Sequence, residues 1–200
     1  MLQDILVIDD EPTVTQAVVK ICGAEGMKVS AAGQASEALR NLEENEFRLM
    51  LCDIMMPELN GFQFLEELAH RGIRTPVVMM TGYSTVENAV RSLTSTGAVD
   101  YIPKPFTADE LLTVVARSLR CGMLLDEADS AGLPGSGAIS FVPPPAHYHR
   151  LGYASWALLD EKGTAKIGVS DLFLKAMEGI EEIELSPLGE DLLQGVTCAE

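Results

Sequence analysis

The chain has no apolar run near the roughly 18–20 residues that a membrane-spanning helix needs. Its first residues, MLQDILVIDDE, lack the basic stretch and small-residue cleavage site of a secretory leader. Neither a membrane span nor an export signal is expected, and a bacterial-type cytoplasm fits. Cysteine is sparse: Cys22, Cys52, Cys121 and Cys198 are scattered without CxxC or Cys/His spacing, which argues against a disulfide framework and a zinc site. Basic residues are scarce too, with 14 Lys and Arg against 30 Asp and Glu and a net charge of −16. Residues 1–122 carry −7 of it and residues 123–200 carry −9. Such a chain repels a phosphate backbone, and its C-terminal part has no basic stripe, so no direct nucleic-acid contact is expected.

What is present is an alternation. Apolar strand candidates at Ile5–Ile8, Val29–Ala31, Leu49–Cys52, Val77–Met80 and Tyr101–Ile102 alternate with helix-period stretches. The helix candidates are Thr13–Ala24, Ser36–Glu44, Gly61–Ala69, Thr85–Ser95 and Thr107–Leu119, with Ser36, Ser84 and Thr107 placed as N-caps. This pattern predicts βαβ units and a parallel sheet covered on both faces. Residues 1–122 form this α/β domain. Residues 123–146, with DEADSAGLPGSG and then PPP, have the composition of a linker, flexible at first and then stiff. Residues 147–200 predict a small β-rich piece with one short helix at SDLFLKAM and a strand at IEEIE.

Four of the strand candidates end in chemistry. Asp9-Asp10, Asp53, Thr81 and Lys104-Pro105 each follow one, and in a parallel sheet the carboxyl ends of strands share the edge where ligands bind. Taken singly, each is an ordinary turn, cap or surface residue; four at successive strand ends point to one site. Clustered carboxylates repel and need a cation. Mg²⁺ suits them, since it takes hard oxygen ligands and keeps several waters. A carboxylate that attacks phosphorus forms an acyl phosphate and needs no general base. Lys104 then holds a phosphoryl oxygen as a point charge and Thr81 hydrogen-bonds another.

LVIDDE, DIMMPELNGFQFL, VVMMTGYS and DYIPKPF resemble the signature segments of bacterial response-regulator receiver domains over residues 3–120. The resemblance implies a flavodoxin-like sheet with strand order 2-1-3-4-5. It implies Asp53 as phosphoacceptor and Asp9, Asp10, Asp53 and the Met55 backbone carbonyl as Mg²⁺ ligands. Thr81 and Lys104 become the phosphate-sensing pair, Tyr101 the switch aromatic, and Lys104–Pro105 a cis peptide. Met55 and Tyr83 sit where such domains tune access of hydrolytic water. The implied partners are a sensor histidine kinase or phosphotransfer protein, with the 85–119 face as a surface for docking or homodimerisation. The chain is expected to catalyse only its own phosphorylation and dephosphorylation, without being a metabolic enzyme. TGYSTVENAVRSLTSTGAVDYIPKPF resembles receivers of enhancer-binding regulators, but neither a GxxxxGK[ST] loop nor a basic recognition helix follows. A DNA-binding output is therefore not expected.

Trp156-Ala157, GTAKIGVSD, Gly179-Ile180 and LSPLGEDLLQG resemble part of the glycine-cleavage H protein, a hammerhead-like β domain. The lipoyl lysine of that family lies on a hairpin beyond the matching segment, so Lys162, Lys166 and Lys175 are not assigned as carriers. A partial domain of this kind suggests a truncated fragment. His147 and His149, an HxH without further ligands in register, read as solvated. The leading expectation is a phosphorylation-activated response regulator with an H-protein-like output module. The alternatives are a phosphate-independent binding scaffold and a truncated lipoyl-carrier fusion.

Overall fold

The computed structural model describes residues 2–82, 98–130, 149–151, 155–159 and 165–177. Its first part runs β1 (Leu2–Ile8), α1 (Pro12–Ala24), β2 (Val29–Ala32), α2 (Ala35–Glu44), β3 (Glu46–Asp53), α3 (Gly61–His70), β4 (Val77–Thr81), β5 (Asp100–Pro103) and α4 (Ala108–Ser130). The five strands lie in the order β2-β1-β3-β4-β5, every pair parallel. This is the flavodoxin-like order expected from the sequence.

The strand sequences explain the layers. Side chains alternate across a strand, and here both alternating sets are apolar. Ile5, Val7, Leu49, Leu51, Val78 and Met80 pack on one face, against α1 and α4 residues such as Val18 and Leu111. Leu6, Ile8, Met50, Cys52, Val77 and Met79 pack on the other, with Ala38 of α2 and Phe64 of α3. Burial on both faces is why these strands read as continuous apolar runs rather than alternating ones.

Local signals fix several helix starts. Pro12 occupies the first turn of α1, where its missing N–H removes no helical bond. Asn60 and Gln63 form a reciprocal capping box on α3. Thr107 and Glu110 do the same for α4: the Thr107 N–H donates to Glu110 Oε2 at 2.7 Å and the Glu110 N–H to Thr107 Oγ1 at 3.3 Å.

Two expectations need correction. Ser36 is not the cap of α2, because the helix begins at Ala35 behind an extended Gln34. The Gly33 N–H ahead of it is held instead by Glu37 Oε2 at 2.8 Å. Helix α4 runs well past Leu119 and past the boundary placed at 122, ending at Ser130. Its extension is not a solvated linker, since Cys121 and Leu124 are buried against Leu172 and Ala176. The helix expected at Thr85–Ser95, Ser84 and Tyr83 lie outside the described residues.

The later segments are β6 (His149–Leu151), β7 (Ser155–Leu159), β8 (Ala165–Val169) and α5 (Asp171–Ala176). β6-β7-β8 form an antiparallel sheet. His149 thus opens the first strand of this sheet. Ser170 caps α5, its Oγ accepting the Phe173 N–H at 3.1 Å. His147, Lys162, most of the 123–146 linker, the IEEIE strand and the 185–195 segment lie outside the described residues. Among the described residues no helix is long and apolar enough to cross a membrane.

Candidate functional site

The carboxyl edge of the five-stranded sheet gathers the charges. β1 ends at Ile8, so the chain leaves the sheet at Asp9 and Asp10; β3 ends on Asp53, β4 on Thr81, and Lys104 follows β5. Parallel registration aligns these ends, pairing Ile8 with Cys52, Asp53 with Met80 and Thr81 with Pro103. Asp9, Asp53 and Thr81 are buried, each with at most 3% of its surface exposed, whereas Asp10 is exposed.

Among the described residues one ammonium serves this edge. Lys104 Nζ lies 2.7 Å from Asp9 Oδ2, 3.0 Å from Asp53 Oδ2 and 3.4 Å from Glu11 Oε1. Burial raises the pKa of Asp9, partly offset by the Lys104 ammonium and by the Glu11 N–H, which donates to Asp9 Oδ1 at 3.0 Å. Burial alone would lower the pKa of Lys104. The Asp9 and Asp53 carboxylates outweigh that effect and hold it above the ordinary lysine value. The Lys104–Pro105 peptide is cis.

The backbone around Asp53 is tightly held. The Met55 N–H donates to Asp53 Oδ1 at 3.3 Å, and the Ile54 N–H donates to the Met80 carbonyl at 3.0 Å. Gly61 packs so closely beneath that a Cβ there would strike the Asp53 carbonyl oxygen and come within 2.7 Å of Met79 Cε. The Lys104 N–H donates to the Thr81 carbonyl at 2.6 Å, tying β4 to the end of β5.

The structure therefore brings Asp9, Asp10, Asp53 and Lys104 into one cluster and places Thr81 at the neighbouring strand end. Tyr101 lies on β5 and is 39% exposed, and Met55, two residues past Asp53, is 58% exposed. Glu11 and Gly61 were not singled out from sequence. Glu11 could have been found from its place directly after Asp9-Asp10, and Gly61 from opening a helix just beyond the aspartate strand.

Asp9, Asp10 and Asp53 each offer a carboxylate oxygen within 4.8 Å of the others, the only such metal-competent group among the described residues. A hard divalent cation fits these donors. The carboxylates, with one ammonium among them, form an anionic pocket suited to a cation and a phosphoryl group together.

Residues 5–116 match the sequence profile of the response regulator receiver domain. The chain belongs to this family. The receiver is 38% identical over 116 residues to the regulatory protein AtoC of Escherichia coli K12, covering 58% of this chain and 25% of that protein. The transcriptional regulatory protein ZraR of the same strain is 39% identical over 151 residues, covering 74% of this chain and 33% of that one. The chain thus spans a quarter to a third of the length of these relatives. Among solved structures, NtrX from Brucella abortus superposes with a TM-score of 0.61 at 36% identity, covering 65% of this chain and 29% of that one. The receiver domain of the Francisella response regulator 1452 gives 0.56 at 30% identity, covering 59% of this chain and 97% of that one.

These likenesses bear on the expectations for the rest of the chain. The H-protein resemblance of residues 147–200 finds no support among them, since the relatives are regulators of the AtoC, ZraR and NtrX kind. Two of these are a transcriptional and a nitrogen assimilation regulatory protein, so an output that avoids DNA finds no support there either. Short glycine-punctuated strands recur in many β domains, which is why spacing alone suggested the H protein.

Proposed function

We propose that this chain is a phosphorylation-controlled switch in a two-component relay. Asp53 is the acceptor: a carboxylate oxygen bonds to phosphorus as the P–N bond of a phosphohistidine on a sensor kinase or phosphotransfer protein breaks. The observation that carries this reading is the buried Asp9–Lys104–Asp53 arrangement, with Lys104 Nζ 2.7 and 3.0 Å from the two carboxylates. It sets a positive charge directly against the nucleophile, at the carboxyl edge of the sheet.

Asp9, Asp10 and Asp53, with the Met55 backbone carbonyl, would hold Mg²⁺, which neutralises charge on the transferred group. Lys104 turns from Asp9 toward a phosphoryl oxygen, and Thr81 donates its hydroxyl to another. Tyr101 responds to the displacement of Thr81 as the switch aromatic. The chain performs its own phosphorylation and dephosphorylation and no metabolic reaction. Its location is the cytoplasm, where such kinases present their phosphohistidine. The −9 charge of residues 123–200 favours a protein partner over DNA for that part of the chain.

The test is phosphoryl uptake from acetyl phosphate with and without Mg²⁺, read by intact mass for wild type and Asp53→Asn. One phosphoryl group, gained only with Mg²⁺ and absent in the variant, is the expected result. No uptake at all overturns it in favour of a phosphate-independent scaffold, and uptake indifferent to Asp53→Asn overturns Asp53 as the acceptor and moves it elsewhere.

A further inference from the structure

The long helix α4 carries a contact that receiver chemistry does not require. Cys121 and Leu124 on α4 are buried against Leu172 and Ala176 of α5. Beside them the Arg117 guanidinium lies over the Phe173 ring, 5.2 Å from its centroid, a cation–π distance. The same Arg117 donates from Nε to Asp100 Oδ2 at 2.8 Å and also from Nη2. Asp100 is the first residue of β5, and Lys104 follows its last. One short strand therefore has the site's ammonium at one end and the anchor of α5 at the other.

We propose that α5 is a releasable cap on α4, held down in the unphosphorylated chain and set free when Asp53 is phosphorylated; this rests on Asp53 being the acceptor. The contact is small enough to open while the sheet stays folded. α5 has six residues, and a local element held by so few apolar contacts opens at a fraction of the global unfolding free energy. It is also imperfectly packed. A cavity of about 10 Å³, lined by Asp100, Arg117, Ser118, Cys121 and Phe173 among others, lies in it. Among the described residues the buried Ser118 hydroxyl has no hydrogen-bond partner.

The coupling runs through β5. Lys104 is now committed to Asp9 and Asp53; a phosphoryl group on Asp53 offers it stronger acceptors and draws it away. Its N–H is bonded to the Thr81 carbonyl, so the displacement moves the β4–β5 pair rather than one side chain. At the far end, Asp100 is fixed to Arg117 and Arg117 to Phe173. A shift of Asp100 forces Arg117 to keep either the carboxylate or the ring. The partly buried two-nitrogen carboxylate contact is the stronger of the two, so the ring contact is lost and α5 detaches. The two states thus differ in contacts at both ends of β5, as a ligand-driven population shift requires.

Cys121 reports the cap directly. It is 6% exposed beneath α5, and burial pushes its thiol up to about 11, so maleimide should label it slowly. The full chain is labelled with N-ethylmaleimide and each cysteine peptide is quantified, with intact-mass phosphoryl uptake read on the same samples. Cys22 and Cys52, buried in the receiver, report that the sheet stays folded. Acetyl phosphate with Mg²⁺ should accelerate Cys121 labelling about tenfold in wild type and leave Asp53→Asn unchanged. Phe173→Ala should label fast without phosphate, and so should Leu172→Ala, which removes apolar packing but neither Arg117 nor Phe173. Uptake without a change at Cys121, acceleration in Asp53→Asn, or a protected Cys121 in both α5 variants overturns the cap. No uptake at all defeats the acceptor reading, and release with it, even if the variants show that α5 covers Cys121.

Discussion

Strand β5 has a carboxylate–cation cluster at each end, and the two are built on opposite plans. At its start Asp100 meets Arg117 through two guanidinium nitrogens, one carboxylate to one cation. Past its end Lys104 stands among Asp9, Asp53 and Glu11, one cation to several carboxylates. The first is closed: its charges cancel and its geometry leaves little for another ligand to take. The second is under-neutralised, so a cation entering it relieves repulsion already present in the folded chain. The contrast separates an ion pair that fastens two elements from one that waits for a ligand. Distance alone would not separate them, since both hold contacts under 3 Å.

Substitutions at the two ends should behave differently. The largest effect is expected at the open cluster. Lys104→Ala leaves the buried Asp9 and Asp53 facing each other without their ammonium and should lose about 3 kcal/mol in Mg²⁺-free urea titrations. Mg²⁺ should then recover more stability in the variant than it adds to wild type. Equal gains would mean that the carboxylates do not share a cation site. Next, Gly61→Ala places a methyl against the Asp53 carbonyl and Met79 and should lose about 2 kcal/mol, with slower phosphoryl uptake because the backbone of the acceptor shifts. A variant as stable as wild type would show that the support of Asp53 is looser than drawn.

The smallest effect belongs to the closed end. Arg117→Ala should lose about 1.5 kcal/mol near neutral pH, and the loss should depend on pH. Burial raises the pKa of Asp100 while Arg117 opposes it, so removing the arginine raises it further. A carboxyl raised in the folded state contributes stability below its unfolded pKa and loses it as pH rises through the folded value. The deficit of Arg117→Ala should therefore shrink as pH falls toward about 4. A deficit flat from neutral pH to that point would mean that Asp100 is not the partner that matters.

Much of the first cluster was legible in the sequence, and almost none of the second. Asp9, Asp10, Asp53 and Lys104 each follow an apolar run, and parallel strands must align such ends; no side-chain detail was needed. Arg117 gave no comparable signal. It is one basic residue on an amphipathic helix, and its partner Asp100 stands just ahead of the short strand expected at Tyr101–Ile102. The end of α4 was missed for a related reason. Its last residues, LLDEADS, turn polar after Leu125, and the element that Cys121 and Leu124 pack against lies some 50 residues on, beyond the reach of local periodicity. Nor did the sequence disclose that Glu58 adopts a left-handed backbone (φ 65°) in the loop after β3, a conformation more usual for glycine.

The bond from the Lys104 N–H to the Thr81 carbonyl, at 2.6 Å, joins the end of β4 to the residue whose ammonium meets the Asp53 carboxylate. It removes a degree of freedom: hydroxyl and ammonium travel on a shared main-chain link. A group that draws one of them inward brings the other along, and a single contact then suffices to set the pair.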